Sequence, residues 1–251
     1  MDAELTLTHI ANAGFLLRAG SARLLFDAPQ GGSYPFDGVP GAILSDMLAG
    51  RGPYADADAL VFTHAHADHF DPAAVEAYLT HNRTPLCLLP PGVDAGPFCR
   101  ACPGTDVRAA CDGTVDIGGV RLLARRGRHV GPADAPAGGE NVCFLATYAG
   151  RSLLITGDAD PDALDLAGLP LPADAAVINA LFWHAASGRR LLDTIVSPKK
   201  TFVHHLPFDT DSADKRVTFY ARMFRRDLDR DGAPHAYPLI VLEKAGQTET
   251  V

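Results

Sequence analysis

Apolar and polar positions divide the first thirty residues into short alternating runs. Leu5-Thr6-Leu7-Thr8-His9-Ile10 reads as a strand, residues 14–19 as a second and residues 23–27 as a third, with Gly20-Ser21 as the hairpin turn between the last two. An antiparallel meander is expected. A Gly/Pro-rich stretch from Ala28 to Gly41 is longer than an ordinary connection and predicts a functional loop, ending in a short helix near Ser45–Ala49. Ala59-Leu60-Val61-Phe62 is a continuous apolar run, as expected of a strand buried on both faces. A helix should follow at once, with Asp71 as its cap, Pro72 in its first turn and residues 73–79 as its body. The same Asp-Pro pair at Asp160-Pro161, after the strand-like Ser152–Thr156 and the Gly157-Asp158 turn, predicts a second strand-to-helix junction. Further strands are predicted at Leu86–Leu89, Val120–Ala124, Asn141–Tyr148, Ala175–Ile178, Thr201–Val203 and Pro238–Glu243. In a last helix, about residues 213–228, Val217, Tyr220, Ala221, Phe224 and Leu228 form an apolar stripe that reads as core packing.

The chain has 251 residues, of which 47% are hydrophobic and 21% charged, a balance that sets aside a disordered tail, a collagen repeat or a coiled coil. No internal repeat or linker-like composition shift breaks it, so a single domain over residues 1–251 is expected. No window approaches the roughly 20 uninterrupted apolar residues that a membrane span needs, and Met1-Asp2-Ala3-Glu4 is acidic where a signal peptide is basic; a cytoplasmic location is expected. The net charge of −8 disfavours nucleic acid and anionic membrane as partners. Five cysteines, an odd number in a chain too large to need staples, read as buried thiols. Cys99, Cys102 and Cys111 have the makings of a structural metal site but lack a fourth ligand at suitable spacing.

Three of the ten histidines, His64, His66 and His69, fall within six residues beside Asp68, directly after the buried strand. Residues two apart at a strand end project to one side, so His64 and His66 can grip one ion, while the turn into the helix aims Asp68 and His69 at a neighbouring point.

This H-x-H-x-D-H run resembles the metallo-β-lactamase superfamily, and the rest of the chain is similar to the same pattern: His129 after an apolar strand, Asp158 in Thr156-Gly157-Asp158, and His205 closing Thr201–His205. The resemblance implies an α/β fold, an αββα sandwich of two mixed β-sheets flanked by helices. It also implies that His64, His66 and His129 hold one metal, that Asp68, His69 and His205 hold another, and that Asp158 bridges them. Asp27 matches the acidic residue the family places beneath the metal loop. Imidazoles and carboxylates in this ratio suit zinc, with manganese and iron as alternatives, better than magnesium or calcium. Two dications against two carboxylates lower the pKa of a bridging water and supply hydroxide near neutral pH.

Within the resemblance, the di-iron redox branch has a glutamate where this chain has His66, which favours hydrolysis. Asp158 stands where antibiotic-hydrolysing members commonly use cysteine, and Phe70-Asp71 stands where glyoxalase-like thioesterases usually have glycines. The expectation is therefore a metallo-hydrolase, with Asp68 as a catalytic carboxylate, acting on a lactone, ester, thioester or phosphoester of a small molecule. Alternatives are a nucleic-acid phosphodiesterase, suggested by Arg125, Arg126 and Arg128, and a metal-binding sensor without turnover. Those arginines would clamp an anionic substrate or form a solvated face. His184, beside Trp183, reads either as proton donor to the leaving group or as a structural residue. Of the adjacent His204 and His205, only one should reach the metal, since neighbours on a strand face opposite ways.

Overall fold

The computed structural model describes residues 4–131, 139–206, 222–226, 228 and 237–251. The predicted meander is present as β1 (Leu5–Ala11), β2 (Gly14–Ala19) and β3 (Ala22–Phe26), joined by the Gly20-Ser21 turn. The Gly/Pro-rich stretch contains a small hairpin, β4 (Gly32–Ser33) and β5 (Phe36–Asp37), before α1 (Gly41–Leu48). That helix begins at Gly41 and not near Ser45, because the Pro40 carbonyl already accepts the Leu44 N–H at 2.9 Å. The continuous apolar run forms β6 (Ala59–Val61), and α2 (Pro72–His81) follows with the Asp71 carboxylate accepting from the N–H groups of Ala73 and Ala74. Next come β7 (Leu86–Leu89), α3 (Gly96–Ala101), β8 (Asp106–Ala109) and β9 (Gly113–Ile117).

The second half contains β10 (Val120–Arg128), β11 (Glu140–Tyr148), β12 (Arg151–Ile155), β13 (Ala175–Asn179), α4 (Ala180–His184) and α5 (Ala186–Leu191). After a π-helical turn at Leu192–Val196 come β14 (Lys200–His204), β15 (Leu239–Val241) and β16 (Thr248–Thr250). β10 runs past Ala124 because its pairing with β11 continues from Arg125↔Cys143 to Arg128↔Glu140. The helix expected after Asp160-Pro161 is absent: residues 161–163 form a single turn, and Gly168, Pro170 and Pro172 leave no room for a helical run. Of the predicted last helix, residues 222–226 and 228 are helical with Phe224 buried; residues 213–221 and 227, and also His235, lie outside the described residues.

Two seven-stranded sheets have the orders β16-β1-β2-β3-β6-β7-β8 and β15-β14-β13-β12-β11-β10-β9. Each is antiparallel on one side and parallel on the other, β3-β6-β7-β8 in the first and β12-β13-β14-β15 in the second. Strands buried on both faces explain the continuous apolar runs. One face packs sheet on sheet, with Phe15, Leu17, Phe26 and Val61 meeting Leu122, Phe144, Val177 and Phe202. The outer face of the first sheet carries Leu25, Leu60 and Phe62 against Met47, Val75, Tyr78 and Phe98 of α1 to α3. The outer face of the second carries Leu154, Ile178 and Val203 against Phe182, Trp183, Leu192 and Phe224. The result is the expected αββα sandwich.

Three thiols are buried, Cys87, Cys102 and Cys143, but Cys99 and Cys111 are exposed, which corrects the uniform expectation. Burial pushes the Cys143 thiol up to about 12. Among the described residues, the groups able to hold a metal ion contain no cysteine. No described helix is long and apolar enough to cross a membrane.

Candidate metal centre

The site forms at one end of the sandwich, where the chain leaves β3, β6, β12, β13 and β14 at their carboxyl ends, as is usual for parallel strands. His64, His66, Asp68 and His69 lie in the loop between β6 and α2. That loop is a tight turn, with the His66 carbonyl accepting the N–H groups of His69 and Phe70 at 2.9 and 2.8 Å. His129 follows β10, Asp158 follows β12 and His205 follows β14. All seven predicted side chains therefore converge. One donor atom each from His64, His66 and His129, from His64, His69 and Asp158, and from Asp68, His69 and His205 falls within 4.8 Å of its companions.

Asp158 Oδ2 stands in the middle, 3.4 Å from His205 Nε2, 3.5 Å from His129 Nε2, 3.6 Å from His69 Nε2 and 3.8 Å from His64 Nε2. Its other oxygen, Oδ1, accepts from Asn179 Nδ2 at 2.9 Å, and its N–H donates to Asn141 Oδ1 at 3.0 Å. Asn179 also caps α4 by accepting the Phe182 N–H. The carboxylate is thereby turned with one edge to the imidazoles. Gly157 must be glycine: its φ is +54°, and a Cβ there would lie 2.6 Å from Asn141 Oδ1 and 2.7 Å from Thr63 Cβ.

Asp27 lies beneath the loop. Its carboxylate accepts the Thr63 N–H and the Thr63 hydroxyl, each at 2.8 Å, and pairs with His69 Nδ1 at 2.9 Å. Because that oxygen can only accept, Nδ1 donates to it, and Nε2 is the nitrogen left facing the cluster. Likewise the Thr63 hydroxyl, having donated to Asp27, accepts from His64 Nδ1 at 3.0 Å and leaves His64 Nε2 facing inward.

Charge follows the same geometry. Burial, reinforced by the His69 charge, pushes His64 well below the usual histidine range. Burial also lowers His66, with His129 adding to the effect. Burial opposes the charge on His69 too, but the Asp158 and Asp27 carboxylates outweigh it and hold His69 well above its usual value. For Asp158, burial would raise the pKa, and the His205 and His69 charges reverse this and hold it well below the carboxylate range. Asp68 is lowered on balance in the same way, burial being overcome by a hydrogen bond from His205 and the charges of His69 and His205.

The donor chemistry fits metal ions. His129 Nε2 is buried without a hydrogen-bond partner, while its Nδ1 is engaged by the Val130 carbonyl. His69 Nε2 faces His205 Nε2 at 3.0 Å, and His64 Nε2 faces His66 Nδ1 at 3.2 Å. Five imidazoles, three buried and two half-buried, turn nitrogens toward one another and form a set that shared cations would satisfy.

His204 points away from this cluster. It is fully buried between the sheets, 6.2 Å from the Phe15 ring, with both ring nitrogens unpartnered, and His205 is the neighbour that reaches the site. His184 is exposed at the end of α4, its ring edge-on to Phe224 at 6.3 Å. The arginine run is engaged: Arg126 pairs with Glu140, Arg128 with Asp160, and Arg125 donates to the Ala167 carbonyl. The Gly/Pro-rich loop does reach the site, through Phe36, whose ring lies edge-on to His205 at 4.1 Å. Sequence reasoning missed Asn12, Asn141 and Asn179. Their positions at a turn and at two strand ends were the only signal, and asparagine in such places is common for reasons unrelated to chemistry.

No family model and no curated protein sequence matches the chain. Solved structures do. The metallo-β-lactamase fold protein YhfI from Bacillus subtilis is 15% identical with a TM-score of 0.63, covering 100% of both chains. An isothiocyanate hydrolase from Delia radicum gut bacteria is 18% identical with a TM-score of 0.64, covering 97% of this chain and 98% of its own. CmlA, a diiron β-hydroxylase from Streptomyces venezuelae, is 16% identical with a TM-score of 0.58; this chain is covered in full but spans only 54% of that protein.

Proposed function

We propose that this chain, built on the metallo-β-lactamase fold, is a metal-dependent hydrolase of small molecules. In this reading His64, His66 and His129 hold one divalent ion, Asp68, His69 and His205 hold a second, and Asp158 lies between them. The observation that carries it is the position of the Asp158 carboxylate, one oxygen within 3.8 Å of four imidazole nitrogens drawn from three separate stretches of chain. Zinc is the proposed ion. Manganese and iron accept the same donors, and CmlA is described as a diiron enzyme.

Ions bound there would supply Lewis acidity and a nucleophile drawn from water near neutral pH, chemistry suited to lactones, carboxylic esters, thioesters and phosphoesters. The chain's own contribution is orientation. Asn141 and Asn179 fix Asp158, Asp27 holds His69 by Nδ1 so that Nε2 faces the site, and Thr63 fixes His64. Asp68, held ionised, is the proposed catalytic carboxylate. His184 as proton donor has weaker support, because its ring packs on Phe224 in the outer layer. His184→Gln with full turnover would remove it.

The test pairs elemental analysis with a panel of lactones, esters, thioesters, phosphodiesters including RNA, and isothiocyanates. About two equivalents of divalent metal per chain are expected, together with turnover of at least one substrate that is lost on chelation and in a folded Asp68→Ala variant. A folded protein that takes up no divalent metal overturns the reading. A fully loaded protein inert across the panel points to a sensor.

A further inference from the structure

We infer that Asn12 is a positioning residue for one of the two ion positions, clamping Asp68 and His205 together across the two sheets; the inference rests on the functional reading above. Asn12 occupies the two-residue turn between β1 and β2, is fully buried and has a φ of 24°. Its side-chain amide donates from Nδ2 to Asp68 Oδ2 at 3.2 Å, and its carbonyl accepts the backbone N–H of His205 at 2.9 Å. Asp68 belongs to the loop after the first sheet's β6, and His205 ends the second sheet's β14.

Those two residues face each other, with Asp68 Oδ2 3.2 Å from His205 Nε2, and with His69 they make up one candidate ligand group. His205 has a φ of 61°, a conformation an L-residue rarely adopts unless held, and the bond to the Asn12 carbonyl is what holds it. The amide bond to Asp68 fixes the rotation of the carboxylate and uses one lone pair of the oxygen nearest His205. Neither bond touches His64, His66 or His129. The amide's own Oδ1 is buried without a partner, so hydrogen bonding within the fold does not account for the side chain on its own.

Asn12→Gly isolates the amide. Glycine accepts the positive φ and keeps the carbonyl that holds His205, so only the bond to Asp68 is lost. The full-length, metal-free protein is titrated with Zn2+ alone against a competing chelator, and with Co2+ to record the absorption bands of each equivalent. One equivalent should weaken about 10- to 100-fold, the usual cost of losing a partner of a ligand. The other equivalent should bind as in the unaltered protein, and the Co2+ bands of the weakened one alone should change. The metal-free protein should stay folded, its thermal midpoint lower by only a few degrees for the one buried hydrogen bond removed. Two equivalents of unaltered affinity overturn the inference, and so does a variant in which both weaken together or the metal-free fold is lost, since Asn12 is then a turn residue only. If the unaltered protein binds no Zn2+, the functional reading fails first, and that control separates the two failures.

Discussion

At the scale of single residues, the site depends on positions where no alternative side chain fits. Gly157 separates the end of β12 from Asp158, in a left-handed conformation and with no space for a Cβ. Gly157→Ala combines a strained backbone with overpacking against Thr63 and Asn141 and should cost about 2 to 4 kcal/mol. Urea unfolding of the metal-free protein measures this, and a midpoint within error of the parent would mean that the contacts relax freely. Gly14 is under similar pressure, since a Cβ there would meet the Asp27 carbonyl at 2.9 Å. Of the seven candidate ligand positions, His64, His66, Asp68 and His69 were legible as a run of donors directly after a buried strand, whereas His129, Asp158 and His205 stand far apart in the chain and were picked out only by the resemblance to a known family pattern. Asn12, Asn141 and Asn179 were not legible, because an amide gains its role only from the atoms brought to it by tertiary contact. Parity along a strand made it legible that only one of His204 and His205 would reach the site, but not which; in the fold, Phe202 and His204 on β14 face the inter-sheet core and the next residue turns into the site.

At the scale of elements, long continuous or alternating runs were read correctly and short, half-exposed ones were not. β6 and α2 stand where the apolar run and the Asp71-Pro72 pair placed them, whereas β4, β5, β8 and α3 have two to six residues each and carry no period long enough to read. The two Asp-Pro pairs show why local signals need context. After Asp71 the chain offers Ala, Val, Glu and Tyr without interruption, and the helix propagates. After Asp160 it meets Gly168, Pro170 and Pro172, and the Asp160 carboxylate instead accepts the Asp162 N–H and pairs with Arg128. Asp71 lies next to the ligand loop, yet its carboxylate serves the helix N–H groups. Asp71→Ala should therefore destabilise the protein by about 1 kcal/mol while leaving zinc stoichiometry unchanged, which denaturation and metal analysis read separately. Loss of metal with normal stability would place Asp71 in the site instead.

At the scale of the whole molecule, the sandwich closes around a group of buried imidazoles, and this makes its stability depend on pH in a definite direction. His9 from the first sheet and His204 from the second lie in the inter-sheet interior, and burial lowers both, His204 well below the usual histidine range. His64 and His66 are lowered as well. Each is neutral in the fold and takes a proton once unfolded, so below the unfolded value of about 6.5 the unfolded chain binds more protons and stability falls with pH. His69 acts in the other window: its raised value gives a contribution that is complete below 6.5 and is lost as pH rises through the folded value, so it leaves the acid slope alone. His204 provides the clean test, because its two unpartnered ring nitrogens already burden the fold at neutral pH. His204→Leu, measured on the metal-free protein, should be neutral or stabilising at pH 7, since it removes buried groups that lack hydrogen bonds. Between pH 6.5 and 5 it should flatten the loss of stability by up to about 1.4 kcal/mol per pH unit, the equivalent of one proton. An unchanged slope with equal stability at pH 7 would mean that His204 is hydrated and titrates as an ordinary histidine, and that the closed interior stops short of the site.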